Sequence, residues 1–257
     1  MRWSCRILLA LLAAALALPA AAQTRDPILV PDISQHEIVL RQGFTGETLL
    51  LYGAVLDPRD RDIQYDVVVV LKGPSEPIRL REKQRVLGIW VNADSTDFRS
   101  VPSFYAMASS RPIEQILDDE REAAIYELGL EYLQLSPSGQ IDPEEQARFS
   151  RGLVDLRQRQ GLYEQFDEGV EITEGVLYRA EIPIPSNVIS GRYVAETFAI
   201  ADGRVISSAT SEVQVLKEGF ERGVEDAANQ QALFYGLFAV GLSLFMGWAA
   251  GRLFMLL

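Results

Sequence analysis

A short apolar run lies near the start of the chain. Residues 7–18 are all apolar and follow Arg2 and Arg6, and three alanines stand at 20–22. A basic start, a short apolar core and small residues after it are typical of a secretory signal peptide. We therefore predict a signal peptide over residues 1–22.

A longer apolar run closes the sequence. Residues 232–257 form a stretch of 26 whose only charged member is Arg252. This length is sufficient to cross a bilayer, so it predicts a single transmembrane helix, with Arg252 on the cytoplasmic side. A polar linker over 217–231 joins the helix to residues 23–216, which we expect in the periplasm, held at the inner (cytoplasmic) membrane.

The residues between the two runs follow a mainly β pattern. Segments rich in β-branched residues end at Gly, Pro or Asp, which is typical of strands. Four successive valines at 67–70 suit a strand buried on both faces. Asp202 and Gly203, between two such segments, predict a hairpin. The turn at 185–187 before Tyr193 indicates an immunoglobulin-like β-sandwich. Strands are predicted near residues 36–41, 47–56, 64–71, 176–184, 192–200 and 205–215.

A helical pattern interrupts the strands. Apolar residues recur at helical spacing from about 112 to 133, and a second helix is predicted to begin at Asp142 and Pro143 and to stop at Gly161. The sequence thus predicts a helical insertion of two or three helices at about 111–161 within the β domain.

Composition excludes several kinds of chemistry. The chain has 24 Lys+Arg against 36 Asp+Glu, a net charge of −12, which disfavours nucleic acid and anionic headgroups as general partners. The only cysteine, Cys5, lies in the predicted signal, and the only histidine is His36. We therefore expect no disulfide, no metal site, no cofactor and no enzymatic activity. A hydrolase using His36 is the least favoured hypothesis.

One segment reverses the acidic character. Arg79, Arg81, Lys83 and Arg85 alternate with other residues, so an extended backbone places all four cations on one face. Such a face could bind an anion or an acidic partner. The alternative is a solvated edge strand whose charges prevent aggregation.

Small residues recur along the predicted transmembrane helix. Ala239, Ser243, Gly247 and Gly251 are each four residues apart. This spacing lets two helix backbones approach closely, which favours association with a second copy or with another membrane protein. The alternative is that small residues are simply common in membrane helices.

Short strings in the middle of the chain carry a family resemblance. Lys83 followed by Gly-Ile-Trp-Val-Asn at 88–92, then Pro-Ser-Phe-Tyr at 102–105 and Arg-Pro at 111–112, resemble segments of an alphaproteobacterial putative transmembrane protein family. The resemblance implies a signal peptide, a periplasmic domain and one C-terminal transmembrane helix. It implies no catalytic residue.

The aromatic residues of these strings allow two interpretations. Trp90, Asn92, Phe104 and Tyr105 could extend the basic strand into a partner-binding face, since aromatics concentrate binding energy. Alternatively the large aromatics belong to the core of the β domain.

The function expected from the sequence is that of an interaction module. We predict a membrane-anchored, non-enzymatic accessory protein that binds the lipid bilayer and another inner-membrane or envelope protein, or a copy of itself. The alternative is a periplasmic anion-binding or sensory domain that uses the basic strand 79–85.

Overall fold

The computed structural model describes residues 27–41, 43–58, 63–139, 141–217 and 232–254. The predicted signal peptide lies outside the described residues, as does the predicted linker beyond Lys217. The elements, in chain order, are β1 (Ile28–Ile33), β2 (Glu37–Leu40), β3 (Gly46–Leu56), β4 (Asp66–Lys72), β5 (Ser75–Val86), β6 (Ile89–Pro102), β7 (Tyr105–Ser109), α1 (Ile113–Ile116), α2 (Glu120–Tyr126), a 3₁₀ turn (Leu130–Tyr132), α3 (Pro143–Arg159), β8 (Tyr163–Phe166), β9 (Val170–Thr173), β10 (Leu177–Pro185), β11 (Gly191–Ala201), β12 (Arg204–Lys217) and α4 (Ala232–Phe254).

The chain is mainly β, which confirms the predicted class. A four-stranded sheet has the order β1-β3-β10-β9, and a six-stranded sheet has the order β2-β12-β11-β4-β7-β8. Their pairs are antiparallel except β2 with β12 and β7 with β8, which are parallel. Buried side chains of both sheets belong to one hydrophobic core. The strands β5 and β6 form a separate two-stranded hairpin.

The valine-rich strand is buried on both faces, as its sequence predicts. β4 lies between β11 and β7, and Val67 to Val70 have 0% exposed surface. Only the end residues of this strand, Asp66 and Lys72, are partly exposed, because the inserted helices add packing to the six-stranded sheet. The ring of Tyr126 in α2, for example, packs 5.4 Å from the ring of Phe198 in β11.

Two turns fix the strands at opposite ends of the six-stranded sheet. Asp202 and Gly203 both have positive φ, +50° and +72°, and connect β11 to β12 in the predicted two-residue hairpin. At the start of β11, the buried hydroxyl of Tyr193 donates a hydrogen bond of 2.9 Å to the carbonyl of Ile189. This bond ties the strand to the turn before it.

The first half of the helical insertion is divided into short elements. Over the helical pattern at 112–133, the chain forms α1, α2 and a 3₁₀ turn. Leu117 is extended and Asp119 caps α2, its side chain accepting from the amide of Arg121 at 2.9 Å. Glu127, with φ +53°, then ends α2. A local cap and a left-handed residue therefore override the helical spacing of the apolar residues.

The second helix begins and ends where the sequence predicts. The Asp142 side chain accepts from the amide of Glu144 at 2.9 Å, Pro143 opens α3, and Gly161 follows it with φ +68°. The insertion also holds the β11–β12 hairpin, because a carboxylate oxygen of Glu122 accepts from the amide of Val205 at 2.9 Å.

The C-terminal helix has a surface unlike that of the rest of the molecule. The large apolar side chains of this helix that the structure describes are exposed and lie outside the hydrophobic core, including Leu233, Leu237, Phe238, Leu244, Phe245 and Met246. Among the residues that the structure describes, no helix is both long and apolar enough to cross a membrane.

Candidate functional site

The basic segment predicted from the sequence forms one arm of a long hairpin. β5 and β6 pair antiparallel from Ser75 with Pro102 to Val86 with Ile89. Leu87 and Gly88 make the turn with φ of +50° and +87°, the left-handed pair of a two-residue hairpin loop. Neither arm pairs with a strand of the two larger sheets.

The half of the hairpin nearest the sheets is braced by α3. Ile78 and Leu80 are partly buried against the core, and the buried ring of Phe149 lies beside them. An ion pair of 2.5 Å joins Arg157 of α3, whose side chain is 13% exposed, to Glu76 at the base of β5. This half is therefore an integral part of the domain.

The outer half of the hairpin has no such support. Every residue from 83 to 95 is exposed. Around the turn the exposed side chains are apolar: Val86 50%, Leu87 100%, Ile89 69%, Trp90 66% and Val91 40%. We call residues 83–92 the distal hairpin.

The distal hairpin has two different faces. Cross-strand partners lie on one face of an antiparallel pair, and Lys83 is opposite Asn92 while Arg85 is opposite Trp90. The other face carries Gln84 with Val91 and Val86 with Ile89. One face is thus cationic with a tryptophan, and the other is largely aliphatic.

The four predicted cations differ in their partners. Arg79 forms a bidentate pair with Asp97, at 2.5 and 2.8 Å, and these hydrogen bonds hold the pKa of the Asp97 carboxyl below its usual value. Arg85 donates to the carbonyl of Gly88 at 3.3 Å. Among the described residues, no carboxylate forms an ion pair with Arg81, Lys83 or Arg85. The positive charge toward the tip is therefore not neutralised.

Two of the predicted surface aromatics lie in the core instead. Phe104 is 1% and Tyr105 0% exposed, so neither contributes to a binding face. The Phe104 ring packs 6.0 Å from Tyr193, and the Tyr105 hydroxyl donates to the carbonyl of Glu127 at 2.7 Å. Both residues therefore belong to the core, and Tyr105 joins it to the insertion. Trp90 and Asn92 are exposed and stand with the basic strand.

The hairpin leaves the sheets at the end where β12 stops. Gly191 pairs with Val215, near the last residue of β12, Lys217. A Cβ atom on Gly191 would lie 2.8 Å from the Pro74 ring, which directly precedes β5. The base of the hairpin and the exit toward the C-terminal run are therefore on one side of the domain.

The predicted small-residue face of α4 is open. Ala239, Ser243, Gly247 and Gly251 are exposed, and a Cβ on either glycine would meet nothing within 4 Å. The Ser243 hydroxyl donates to the carbonyl of Ala239 at 2.9 Å within the same helix.

Titratable side chains of the described residues do not gather into a recognisable catalytic or metal centre. His36 is 73% exposed and lies 3.9 Å from an Asp32 carboxylate oxygen. In the part of the chain that the structure describes, no group of three or more His, Cys, Asp or Glu side chains could hold a metal ion.

The apolar tip is the feature that sequence reasoning missed. The alternation of Arg79 to Arg85 predicts a strand but not that its outer half leaves the domain. A signal was available in Leu87 and Gly88, a two-residue turn between extended segments. Nothing in the local pattern indicates that the flanking Val86, Ile89 and Trp90 are uncovered.

A protein-family model matches most of the chain. A family model described as "Putative transmembrane protein (Alph_Pro_TM)" matches residues 28–255 of the 257. The chain belongs to this family. Membership confirms the resemblance seen at residues 88–92 and 102–105, and the match to this family runs through the domain, the hairpin and most of the C-terminal run. No curated protein matches the sequence.

Proposed function

We propose that this protein is a membrane-anchored, non-enzymatic interaction module whose β domain lies in the periplasm and docks on another inner-membrane or envelope protein. The observation that carries the proposal is the C-terminal helix α4, whose described large apolar side chains are exposed and lie outside the core. Such a surface requires a hydrocarbon or protein environment.

Anchoring is proposed for the whole C-terminal run. α4 has 23 residues, which at about 1.5 Å per residue is about 34 Å, close to the roughly 30 Å hydrocarbon layer. The sequence continues with three further apolar residues at 255–257. The description of the family as a transmembrane protein supports this assignment.

The orientation follows from the two ends of the sequence. A cleaved signal at 1–22 would export the domain, and Arg252 at the far end of the run would then sit at the cytoplasmic surface. Both features favour a single-pass topology with the C-terminus in the cytoplasm.

The domain is proposed to be immunoglobulin-like. The order β1-β3-β10-β9 matches strands A-B-E-D of that fold, and β12-β11-β4 matches G-F-C. The hydrogen bond from Tyr193 to the carbonyl of Ile189 has the position of the tyrosine corner. Domains of this class present sheet faces and loops to partners.

A flat apolar area supports a protein partner for the domain. On the outer face of the four-stranded sheet, Ile28 pairs with Leu56, and Val30 and Leu177 both oppose Ala54. Ile28, Val30, Leu56 and Leu177 are 47–56% exposed. Contiguous exposed apolar groups on neighbouring strands mark surfaces that another protein covers.

The alternative of an anion-binding domain has less support. Arg79 is already occupied by Asp97, and the remaining cations are spread along an exposed strand. Side chains on one face of a strand are about 6.6 Å apart, so a small anion would contact few of them.

Isolation of the full chain in mild detergent tests the proposal. We expect a stoichiometric membrane-protein partner, or a second copy, to accompany it. Gly247→Leu should release that partner because the leucine fills the open face of α4, whereas Gly241→Leu, on the other side of the helix, should not. Recovery of a monomer unaffected by Gly247→Leu would contradict the proposal.

A further inference from the structure

We propose that the distal hairpin is a lipid-binding finger that places Val86, Leu87, Ile89 and Trp90 in the surface of an anionic bilayer. The inference goes beyond docking on a protein partner and rests on the proposed anchoring only for nearness to a membrane. Four independent observations carry it.

The first observation is that the finger is incomplete in water. An isolated two-stranded hairpin is marginally stable, and stability requires a third strand or a packed face. Residues 83–95 are all exposed, so no described residue packs on the aliphatic face of Val86, Ile89 and Val91. A surface outside the described domain would complete it.

The second observation is the residue at the turn. Leu87 is 100% exposed and has φ +50°. Asn or Gly suits this position, and a bulky residue there costs about 1 kcal/mol or more. Leucine is therefore unfavourable at this position for two reasons: its backbone is left-handed and its apolar side chain is fully exposed. Such conflicts are expected where a residue serves binding rather than folding.

The third observation is the local charge. Residues 83–93 contain Lys83 and Arg85 and no carboxylate, in a chain of net charge −12. Cations beside exposed aliphatic and tryptophan side chains are the combination that binds the interface of an anionic bilayer. The acidic character of the whole chain therefore does not extend to this tip.

The fourth observation is shape and position. A stable protein interface takes roughly 20–30 residues on each side, whereas the distal hairpin is a narrow tip of ten. A bilayer requires no complementary surface. The base of the hairpin also lies at the end of the domain where Lys217 leads toward the C-terminal run.

Depth-dependent quenching of tryptophan tests the finger in the full chain. The sequence has three tryptophans: Trp3, Trp90 and Trp248. One protein keeps only Trp90 (Trp3→Phe, Trp248→Phe), and a second keeps only Trp248 (Trp3→Phe, Trp90→Phe). Each is reconstituted in vesicles of brominated phosphatidylcholine, alone or mixed with phosphatidylglycerol.

We expect Trp248 to be quenched in both kinds of vesicle and Trp90 to be quenched strongly only with phosphatidylglycerol. In the Trp90 protein, Lys83→Glu with Arg85→Glu should lower the ratio of inserted to free hairpin on the order of tenfold or more. Leu87→Asn should also lower quenching while leaving the unfolding temperature equal or higher. Ile125→Asp, at a similarly exposed side chain of α2, should change nothing.

The two reporters separate the two proposals. If Trp248 is quenched and Trp90 is not, lipid binding by the distal hairpin is contradicted and membrane anchoring by α4 is supported. If Trp248 is not quenched, the proposed anchor is wrong. Equal quenching of Trp90 in both lipids would overturn the assignment to an anionic bilayer. A blue shift of Trp90 emission without quenching would also overturn it, because it would indicate contact with a protein.

Discussion

Three buried tyrosine hydroxyls fasten irregular segments to the sheets. Tyr105 donates to the carbonyl of Glu127, Tyr163 to that of Pro102, and Tyr193 to that of Ile189, at 2.7, 2.7 and 2.9 Å. These three side chains are at most 1% exposed. Each therefore gives a backbone carbonyl a hydrogen-bond partner while filling core volume with its ring.

Replacing Tyr193 with Phe should destabilise the domain. The substitution removes the hydrogen bond to the Ile189 carbonyl and costs about 0.5–1.5 kcal/mol, which lowers the unfolding temperature. Tyr52→Phe is the matched control, because its hydroxyl bonds Asp32 at 3.1 Å on an exposed surface. Calorimetry or denaturant unfolding measures both. An equal loss in the two variants would contradict a specific role for Tyr193.

Stability should fall at alkaline pH. Burial raises the pKa of Tyr105 and Tyr163, and raises that of Tyr193 to about 12. The unfolded value is about 10, so each tyrosine contributes its full stability below that pH and loses it as pH rises through the folded pKa. At pH values between the unfolded and the folded pKa, the free energy of unfolding should drop by roughly 1.4 kcal/mol per pH unit for each tyrosine.

Denaturant midpoints measured across this range check the expectation. Tyr193→Phe should make the free energy of unfolding fall less steeply with pH, because the variant lacks the contribution of one of the three tyrosines. A stability that is flat from neutral pH to pH values above the pKa of free tyrosine would show that these hydroxyls titrate normally.

At the scale of elements, the hairpin β5–β6 combines a fixed base with a free tip. Arg157 joins Glu76 at the base, and Arg148 lies 3.3 Å from Glu82 and 3.5 Å from Asp94 farther out. Beyond these pairs the strands have only each other. The hairpin is thus positioned by α3 and presents its tip away from the core.

Loss of the base ion pair should loosen the hairpin alone. Arg157 is 13% exposed, so Arg157→Ala leaves Glu76 without its cation and removes packing at the end of α3. We expect faster amide hydrogen exchange in β5 near Ile78 and Leu80 and little change in β4 or β11. Arg159→Ala is the control, since its pair with Asp155 is exposed. Unchanged exchange in β5 would contradict the bracing role.

The elements that sequence predicts well are those whose signals are local. The valines of β4, the Asp202 and Gly203 turn and the Asp142 cap of α3 each specify their structure within a few residues. The helical pattern over 112–133 does not give the boundaries of α1 and α2, because Asp119 and Glu127 impose breaks that apolar spacing does not reveal. Phe104 and Trp90 show the remaining limit: exposure depends on tertiary contacts, so similar aromatic strings place one in the core and the other at a tip.

At the scale of the whole molecule, exposed apolar side chains gather in a few places outside one core. The two larger sheets and the inserted helices enclose one core. Outside this core, the main groups of exposed apolar side chains lie on α4, on the outer face of the four-stranded sheet and at the distal hairpin. In the proposed arrangement α4 lies in hydrocarbon, the outer face of the four-stranded sheet contacts a protein partner, and the distal hairpin contacts the lipid surface.

A pair of reporter fusions tests the central claim of a periplasmic domain on a membrane-crossing C-terminal run. An enzyme active only outside the cytoplasm is joined after Lys217 in one protein and after Leu257 in the other. The account predicts activity for the fusion at Lys217 and none for the fusion at Leu257. Activity at both sites, at neither, or only at Leu257 would contradict it.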